Sequence, residues 1–349
     1  MSVFRQLNQP TGRAIRVDNE EYLFFGGTAY LGLLNHPDYV ELYIEGVRTL
    51  GLNNGTSRNN NIQLGIYEEA ESAMALRFGF EDAILLSSGY LAAQLVIKEM
   101  SGASKILYAP NSHPALWLAG RPAVDGNFED WLARTVRDVN NAPDASFVLV
   151  SNALDNMKPE RYDFSALQGI DARKHVTLLL DDSHGIGVIN KDRPSVDIGG
   201  QVPDQVEVIL IASLAKGMGT DAGIILGSEK RMSNFRKSSY FTGASPSSPG
   251  SMYALLHGEE IYQRQFVQLQ RNISHFAGLI GNKLSCVEHF AVFTAHDANL
   301  YRYLLQNKIL SSSFPYPREE DPLLTRMVIT SQHKETDLLY LAELINRFY

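Results

Sequence analysis

The sequence predicts an α/β fold in which helices cover both faces of a mostly parallel sheet. The middle of the chain alternates short apolar runs with helical stretches. Runs that are apolar at every position are typical of strands buried on both faces. Alternation of strands with helices favours parallel strands joined by helical crossovers. Six strands are predicted, at 83–86, 105–108, 147–150, 176–180, 206–212 and 222–226.

Helical patterns frame this sheet. Segments 38–50 and 66–78 precede it, and 91–100 follows its first strand. Apolar residues recur at helical spacing in 252–284 and again near the C-terminus, which indicates helices packed on a core. These residues are Leu269, Ile273, Phe276 and Ile280, then Leu338, Leu341, Ile345 and Phe348.

A cluster of Pro, Ser and Gly at 245–250 predicts a domain boundary. We therefore expect an N-terminal segment at 1–37, a large domain at 38–245 and a small α+β domain at 246–349.

Charge and cysteine content exclude several classes of function. The 349 residues include 31 Lys and Arg against 39 Asp and Glu, a formal charge of −8. An acidic chain without a basic run is a poor candidate for binding nucleic acid or anionic membranes. Cys286 is the only cysteine, so an internal disulfide and a cysteine-rich metal site are excluded. The first residues contain no apolar signal core, so we expect a cytoplasmic protein.

A lysine follows one of the predicted buried strands. Lys216 lies in the segment SLAKGMG, directly after the strand at 206–212. Desolvation near a core lowers the pKa of an amine, which suits a lysine that forms a Schiff base. A surface lysine in a glycine-rich turn is the alternative.

Two polar residues follow the strand at 176–180. Asp181 at a strand end could pair with a protonated pyridine nitrogen, and His184 could reach the neighbouring ring oxygen. Two alternatives remain open here. One is a turn with a capping aspartate, and the other is a metal site made of Asp181, Asp182 and His184.

The turn after the strand at 83–86 is rich in Ser and Gly. Ser88, Gly89 and Tyr90 lead into a helix, and a helix N-terminus presents backbone N–H groups to an anion. This arrangement fits a phosphate cradle. An ordinary helix N-cap at Ser88 has the same pattern.

Two further residues have candidate roles in binding. His113 follows the strand at 105–108 and could stack on an aromatic ring. Arg326, in a predicted strand at 324–330, could hold a carboxylate through two parallel hydrogen bonds. The alternatives are a loop histidine and a surface ion pair.

These segments, in this order, resemble the α-oxoamine synthases, a family that includes 8-amino-7-oxononanoate synthase and serine palmitoyltransferase. The resemblance extends from about Glu21 to the C-terminus. The matching segments are EYLFF at 21–25, YLGL at 30–33, GTSR at 55–58, SGY at 88–90, NSH at 111–113, DDSHGIGV at 181–188, SLAKG at 213–217 and RMVITSQH at 326–333.

The resemblance implies the type I fold of enzymes that depend on pyridoxal 5'-phosphate (PLP), and it assigns roles to residues. Lys216 would bind PLP covalently, Asp181 would pair with its ring nitrogen, His184 would contact its ring oxygen and His113 would stack on the ring. Phosphate would be held by Ser88, Gly89, Tyr90 and Ser213.

The resemblance also implies a homodimer with shared active sites. Thr242 matches a position that reaches the phosphate of the neighbouring subunit. Arg326 would hold the substrate α-carboxylate, assisted by the position of Thr28. The implied reaction condenses an amino acid with an acyl-CoA thioester, with loss of CO₂, to an α-amino ketone.

The sequence departs from the family pattern mainly where the substrates would bind. The departures are Thr28 for Asn, Tyr67 for His, Ala115 for Ser, Asn152 for Glu, Asn156 for Ser and Lys158 for Asp. The residues expected to anchor PLP match the family. We therefore expect PLP binding with a changed substrate. The alternatives are an aminotransferase, another PLP-dependent reaction and a weakly catalytic PLP-binding partner subunit.

Overall fold

The computed structural model describes residues 3–102, 104–124, 126–143, 146–315 and 320–349. Strands and helices alternate through the middle of the chain, as predicted. The strands are β1 (Ala14–Val17), β2 (Glu20–Phe25), β3 (Asp82–Leu86), β4 (Lys105–Tyr108), β5 (Ser146–Asn152), β6 (Leu154–Asp155), β7 (Glu160–Arg161), β8 (His175–Asp181), β9 (Val206–Ser213), β10 (Gly223–Gly227), β11 (Val292–Ala295), β12 (Ile309–Pro315) and β13 (Leu323–Val328).

The helices include three single turns of four residues each. The helices are α1 (Pro37–Leu50), α2 (Ile66–Phe78), α3 (Gly89–Met100), α4 (Phe128–Asn141), α5 (Ile198–Gln201), α6 (Leu214–Gly217), α7 (Glu229–Phe235), α8 (Ser239–Thr242), α9 (Pro249–His257), α10 (Glu259–Ile280), α11 (Ala298–Gln306) and α12 (Glu335–Phe348). Within the described ranges, every helix is too short or too polar to cross a lipid bilayer.

The six predicted strands form one sheet in the order β3-β10-β9-β8-β5-β4. Strands β9, β8, β5 and β4 pair in parallel, and β10 is antiparallel to both of its neighbours. Buried side chains cover both faces, which explains why the strand sequences are apolar without alternation. The predicted α/β class with a mostly parallel sheet is confirmed.

A second sheet, in the order β1-β2-β12-β13-β11, joins the two ends of the chain. Strand β2 pairs in parallel with β12. Arg13 forms an ion pair with the buried Asp337 of α12, with Nε and Oδ2 2.6 Å apart. Strands from within residues 1–37 therefore belong to the same sheet as the C-terminal strands, while the domain boundaries at 37 and 245 stay a prediction.

The helical stretch predicted at 252–284 is two helices. Helix α9 ends at His257 and α10 begins at Glu259, because Gly258 leaves the helical conformation between them. Helix α9 packs closely on α1, where a Cβ atom on Gly46 would lie only 2.5 Å from Cβ of Tyr253.

Candidate active site

The candidate residues gather where the parallel strands end. Asn152, the last residue of β5, pairs with Asp181 at the end of β8, and Asp181 pairs with Ile211 of β9. On the other side, Gly223 of β10 pairs with both Ser213 and Leu86. The register of the sheet therefore brings separate segments to one edge, which is where ligands bind in open α/β sheets.

Lys216 lies in the single turn α6, which follows β9 at this edge. Its Nζ atom is 3.1 Å from Nε2 of His184. Burial lowers the pKa of Lys216; the charge of Asp181 opposes this effect and Arg326 adds to it. A lowered pKa increases the neutral fraction of the amine, which is the form that attacks a carbonyl.

A chain of hydrogen bonds continues from His184. Its Nδ1 atom is 2.8 Å from the hydroxyl of Tyr30, and that hydroxyl accepts a 3.2 Å hydrogen bond from Nη2 of Arg326. Burial lowers the pKa of His184 far below its usual range and raises the pKa of Tyr30. Both groups are therefore neutral at neutral pH. Four residues from three distant parts of the sequence form one polar chain in a buried site.

Arg326 is only 5% exposed, on β13 of the second sheet. Besides Tyr30, it donates to the backbone carbonyls of Gly27 at 3.2 Å and Asn156 at 3.4 Å. The predicted carboxylate-binding arginine thus lies in the same site as Lys216. It contacts the loops that contain Thr28 and Asn156, both of which depart from the family pattern.

The two adjacent aspartates have different environments. Asp181 is half-buried at the edge of the sheet, accepts a hydrogen bond from the backbone of Ser183, and acts electrostatically on Lys216 and His113. Asp182 is fully buried and accepts hydrogen bonds from the backbone and the hydroxyl of Ser195.

Burial raises the pKa of Asp182 to about 7, against the opposing effect of the Ser195 hydrogen bonds. Asp182 therefore supports the loop and does not face Lys216. Among the described residues, no group of three or more His, Cys, Asp or Glu side chains is arranged to hold a metal ion. The geometry gives no support to the metal site considered from sequence.

The Ser/Gly turn after β3 lies close to the end of β9. Ser88 caps α3 by accepting a 3.2 Å hydrogen bond from the backbone of Leu91. A Cβ atom on Gly89 would lie 2.6 Å from Cβ of Ser213, and one on Gly223 would lie 2.2 Å from the carbonyl oxygen of Ser88. Glycine is required at both positions because no side chain fits. The N-terminus of α3 is thus held beside Ser213, as a shared phosphate cradle needs.

His113 begins a short 3₁₀ turn at Pro114–Leu116, and its Nδ1 atom accepts a 3.2 Å hydrogen bond from the backbone of Ala115. Asn152 holds this loop from both sides. Its Oδ1 atom accepts from the backbone of His113 at 3.1 Å, and its Nδ2 atom donates to the carbonyl of Asn111 at 2.7 Å. The amide both accepts and donates here, which an ionised carboxylate cannot do, and this gives a physical reason for Asn152 in place of Glu.

The remaining predicted residues lie around this centre. Thr28 lines a small pocket with Gly27 and Ala215, next to Lys216 in the sequence. Tyr90 is 64% exposed, and its backbone lies in the first turn of α3. Thr242 ends α8 and donates its hydroxyl to the carbonyl of Ser238 at 3.0 Å. Its expected contact across a dimer stays a prediction.

Two residues of this arrangement were not predicted as site residues. Tyr30 was part of a matching segment, but nothing in the sequence indicated that it joins His184 to Arg326. Asn152 was noted only as a departure from the family. Both act through contacts with residues far away in the sequence. For Asn152 the only signal was its position after the predicted strand at 147–150, and for Tyr30 it was the matching segment YLGL.

No protein-family model matches the chain, but comparison with known proteins finds relatives in sequence and in structure. An 8-amino-7-oxononanoate synthase from Chromobacterium violaceum is 27% identical over 63% of this chain, and the match spans 58% of that enzyme. An 8-amino-7-oxononanoate synthase from Pseudomonas putida is 26% identical over 78% of this chain and 70% of that enzyme.

A solved structure described as a substituted SPT (serine palmitoyltransferase) with PLP has a TM-score of 0.84 at 16% identity. It covers 99% of this chain and 92% of that chain. This likeness shows a common fold. The sequence relatives are 8-amino-7-oxononanoate synthases, which belong to the same family as serine palmitoyltransferase and to which the motifs of this chain were matched. In sequence and in fold, the chain is similar to the α-oxoamine synthases, a family of PLP-dependent transferases.

Proposed function

We propose that this chain is a PLP-dependent acyltransferase that condenses an amino acid with an acyl-CoA thioester. CO₂ is lost and an α-amino ketone is formed. One observation carries the proposal: Lys216, with a lowered pKa, lies 3.1 Å from His184 in a site that also contains Asp181 and the buried Arg326. An amine, a carboxylate and a guanidinium are the groups that an amino acid and a PLP cofactor require.

The residues at the edge of the sheet fit PLP. Lys216 would hold the cofactor covalently through Nζ, Asp181 would pair with the ring nitrogen and His113 would stack on the ring. The close approach of Gly89 to Ser213 places the N-terminus of a 12-residue helix beside a hydroxyl, which suits a phosphate. When bound, PLP supplies an electron sink for charge that develops on the substrate α-carbon.

The chain itself would orient the amino acid and move its proton. Arg326 would bind the α-carboxylate, and Thr28 lies on the adjoining loop. Nζ of Lys216 would take the α-proton, because burial favours its neutral form. His184, held by Tyr30, would keep Nζ in position for that transfer. Burial of these groups would keep water away from the reacting atoms.

A pocket next to His113 is a candidate site for the acyl donor. Apolar walls that suit an acyl chain are combined with the cationic Arg121. Asn152 and Asn156, which depart from the family pattern, also line this pocket, so a changed acyl donor is expected. The apolar lining residues include Trp117, Pro122, Val124 and Met157.

The assembly and the cellular location are further parts of the proposal. A homodimer with shared active sites would give Thr242 its expected partner across the interface. Leu52 and Ile62, each 75% exposed, lie in the loop around the GTSR segment and would be covered by a second subunit. The cytoplasm stays the expected compartment.

The first test is a visible absorption spectrum of the purified protein with PLP, followed by glycine, alanine and serine added singly. We expect a visible band that one amino acid shifts, and release of CoA and CO₂ when an acyl-CoA is also added. Pyridoxamine phosphate formed with the amino acid alone would favour an aminotransferase. A protein without a band in the presence of added PLP would contradict the assigned cofactor.

A further inference from the structure

Tyr30 lies between the two groups that the proposed reaction uses, the cation of Arg326 and the amine of Lys216. It is completely buried, and its hydroxyl contacts both Arg326 and Nδ1 of His184. The opposite ring nitrogen of His184 faces Nζ of Lys216. Any change at Arg326 can therefore reach Lys216 through three hydrogen bonds and two neutral groups, Tyr30 and His184.

The hydrogen bonds of Arg326 are long enough that a carboxylate could replace one of its present acceptors. Its three donor nitrogens make hydrogen bonds of 3.2, 3.2 and 3.4 Å to neutral oxygen atoms. A carboxylate forms shorter, charge-assisted bonds of about 2.7–2.9 Å with a guanidinium. A carboxylate that reaches Arg326 would therefore displace the hydroxyl of Tyr30 or the carbonyl of Gly27.

The proton positions follow from the neutrality of Tyr30 and His184. While Arg326 donates to Tyr30, the phenol can donate its proton to Nδ1 of His184. A neutral imidazole has one donor and one acceptor nitrogen, so Nε2 then has the proton and points it at Nζ of Lys216. In this arrangement Lys216 is a neutral amine that accepts a hydrogen bond.

A bound carboxylate reverses these roles. It accepts the phenol proton of Tyr30, whose oxygen is then free to accept from Nδ1 of His184. The ring proton moves from Nε2 to Nδ1 by exchange with solvent, so the number of protons is unchanged. Nε2 then becomes an acceptor for Lys216, which favours a protonated Nζ.

We propose that Tyr30 is a positioning residue that couples carboxylate binding at Arg326 to the proton shared by His184 and Lys216. This inference rests on the proposed function in one respect, that the substrate brings a carboxylate to Arg326. The charged and titratable groups that face Lys216 and His184 are Asp181, Arg326 and His113. A bound carboxylate also neutralises the positive charge of Arg326, and that charge lowers the pKa of Lys216. Loss of that charge therefore favours a protonated Lys216, as the change at His184 does.

The test uses the PLP-free protein with ¹⁵N-labelled histidine, in which NMR reports the proton on each ring nitrogen. The resonances of His184 are assigned by their loss in His184→Gln. Propionate is the carboxylate probe, and propionamide is its uncharged control. In the unsubstituted protein, we expect propionate alone to move the ring proton from Nε2 to Nδ1.

Tyr30→Phe should remove this response, and Tyr67→Phe should retain it. Tyr67 is a matched control because it is 1% exposed and its hydroxyl donates to the carbonyl of Ser247, away from His184. An unsubstituted protein that does not respond to propionate would overturn the proposal. A Tyr30→Phe protein that responds like the unsubstituted one would also overturn it.

If Tyr30→Phe does not fold, a second measurement tests whether carboxylate binding is coupled to the proton on Lys216. The pKa of Lys216 in the unsubstituted protein can be obtained from the pH dependence of its acetylation, followed by mass spectrometry. Propionate should raise this pKa by about one unit, and propionamide should not. An unchanged pKa would reject the coupling. Because PLP is left out, failure of the cofactor assignment would appear separately, as a missing visible band.

Discussion

The two sides of the candidate site are built differently. On the cofactor side, Asp181, Ser213 and Lys216 follow β8 and β9, whose register fixes them at one edge of a buried sheet. On the substrate side, the loop that contains Asn156 is held by a hydrogen bond from Arg326, and two side-chain hydrogen bonds from Asn152 hold the His113 loop.

This difference indicates which part of the site can accept substitutions without disturbing the fold. Residues fixed by a sheet register cannot move without disturbing a core, whereas loops held by one or two hydrogen bonds can be rebuilt. Four of the six departures from the family pattern fall on loops and turns, namely Thr28, Ala115, Asn156 and Lys158, and the predicted PLP anchors do not depart from it. Three predictions test this contrast, and a fourth tests the stability contribution of a buried histidine in the second sheet.

The largest effect is expected from removing the amine on the cofactor side. Lys216→Ala should lose the visible PLP band, and its turnover should fall by roughly 10²–10⁴-fold because the group that moves the proton is absent. Absorbance with added PLP and a CoA-release assay measure the two effects. Lys158→Ala, at an exposed position on the substrate side, should keep the band. A band that survives in Lys216→Ala would exclude this lysine as the anchor.

The packing of His333 on β2 of the second sheet, where its Nε2 atom lies 3.0 Å from the carbonyl oxygen of Phe24, should weaken in acid. Burial lowers the pKa of His333 to about 4, while the unfolded chain keeps the usual value of 6.5. Between these values the unfolded state binds more protons, so the contribution of His333 to stability is full above pH 6.5 and falls by about 3 kcal/mol as the pH drops towards 4. Urea unfolding at several pH values measures this loss.

His333→Gln should remove that part of the pH dependence, and His275→Gln, at an exposed position, should not. The pH dependence of stability also includes Asp182, whose raised pKa acts in the opposite direction over part of the same pH range. Subtracting the pH dependence of His333→Gln from that of the unsubstituted protein leaves the contribution of His333 alone. Equal slopes in the unsubstituted protein and in His333→Gln would contradict the assignment.

A methyl group in the phosphate cradle should weaken PLP binding. In Gly89→Ala the new Cβ would lie 2.6 Å from Cβ of Ser213, so the turn must shift at a cost of about 1–3 kcal/mol. The dissociation constant for PLP, measured by absorbance titration, should increase about tenfold. Gly102→Ala is the matched control because its Cβ would meet no atom within 4 Å. Equal PLP affinities in both variants would argue against the cradle.

The smallest effect is expected from the substrate side. Asn152→Asp removes the donor to the carbonyl of Asn111, so the His113 loop should loosen by about 1 kcal/mol. We expect a KM for the acyl donor several-fold higher, with a smaller loss of PLP affinity because His113 is only one of the proposed contacts to PLP. Asn140→Asp is a matched control, because Asn140 also links two backbone segments through its amide, distant from the site. A loss of PLP affinity larger than the increase in KM would place Asn152 on the cofactor side.

Much of this arrangement could be predicted because it depends on local pattern. The continuous apolar runs located all six strands of the main sheet, and the candidate residues after the strands at 83–86, 147–150, 176–180 and 206–212 proved to share one edge. The two helices at 252–284 were predicted as one stretch because Gly258 interrupts the helix without interrupting its apolar spacing. The pairing of β2 with β12 could not be predicted, since nothing local links residues 20–25 to 309–315.

The sequence by itself determined the α/β class, the strand positions and the location of Lys216, because apolar periodicity and strand ends are local properties of the chain. Tertiary structure alone decided that Asp182 turns away to Ser195 while Asp181 faces the site. It also decided that Tyr30 connects Arg326, 296 positions away in the sequence, with His184. Such contacts depend on how the two sheets pack, and packing is a property of the whole fold.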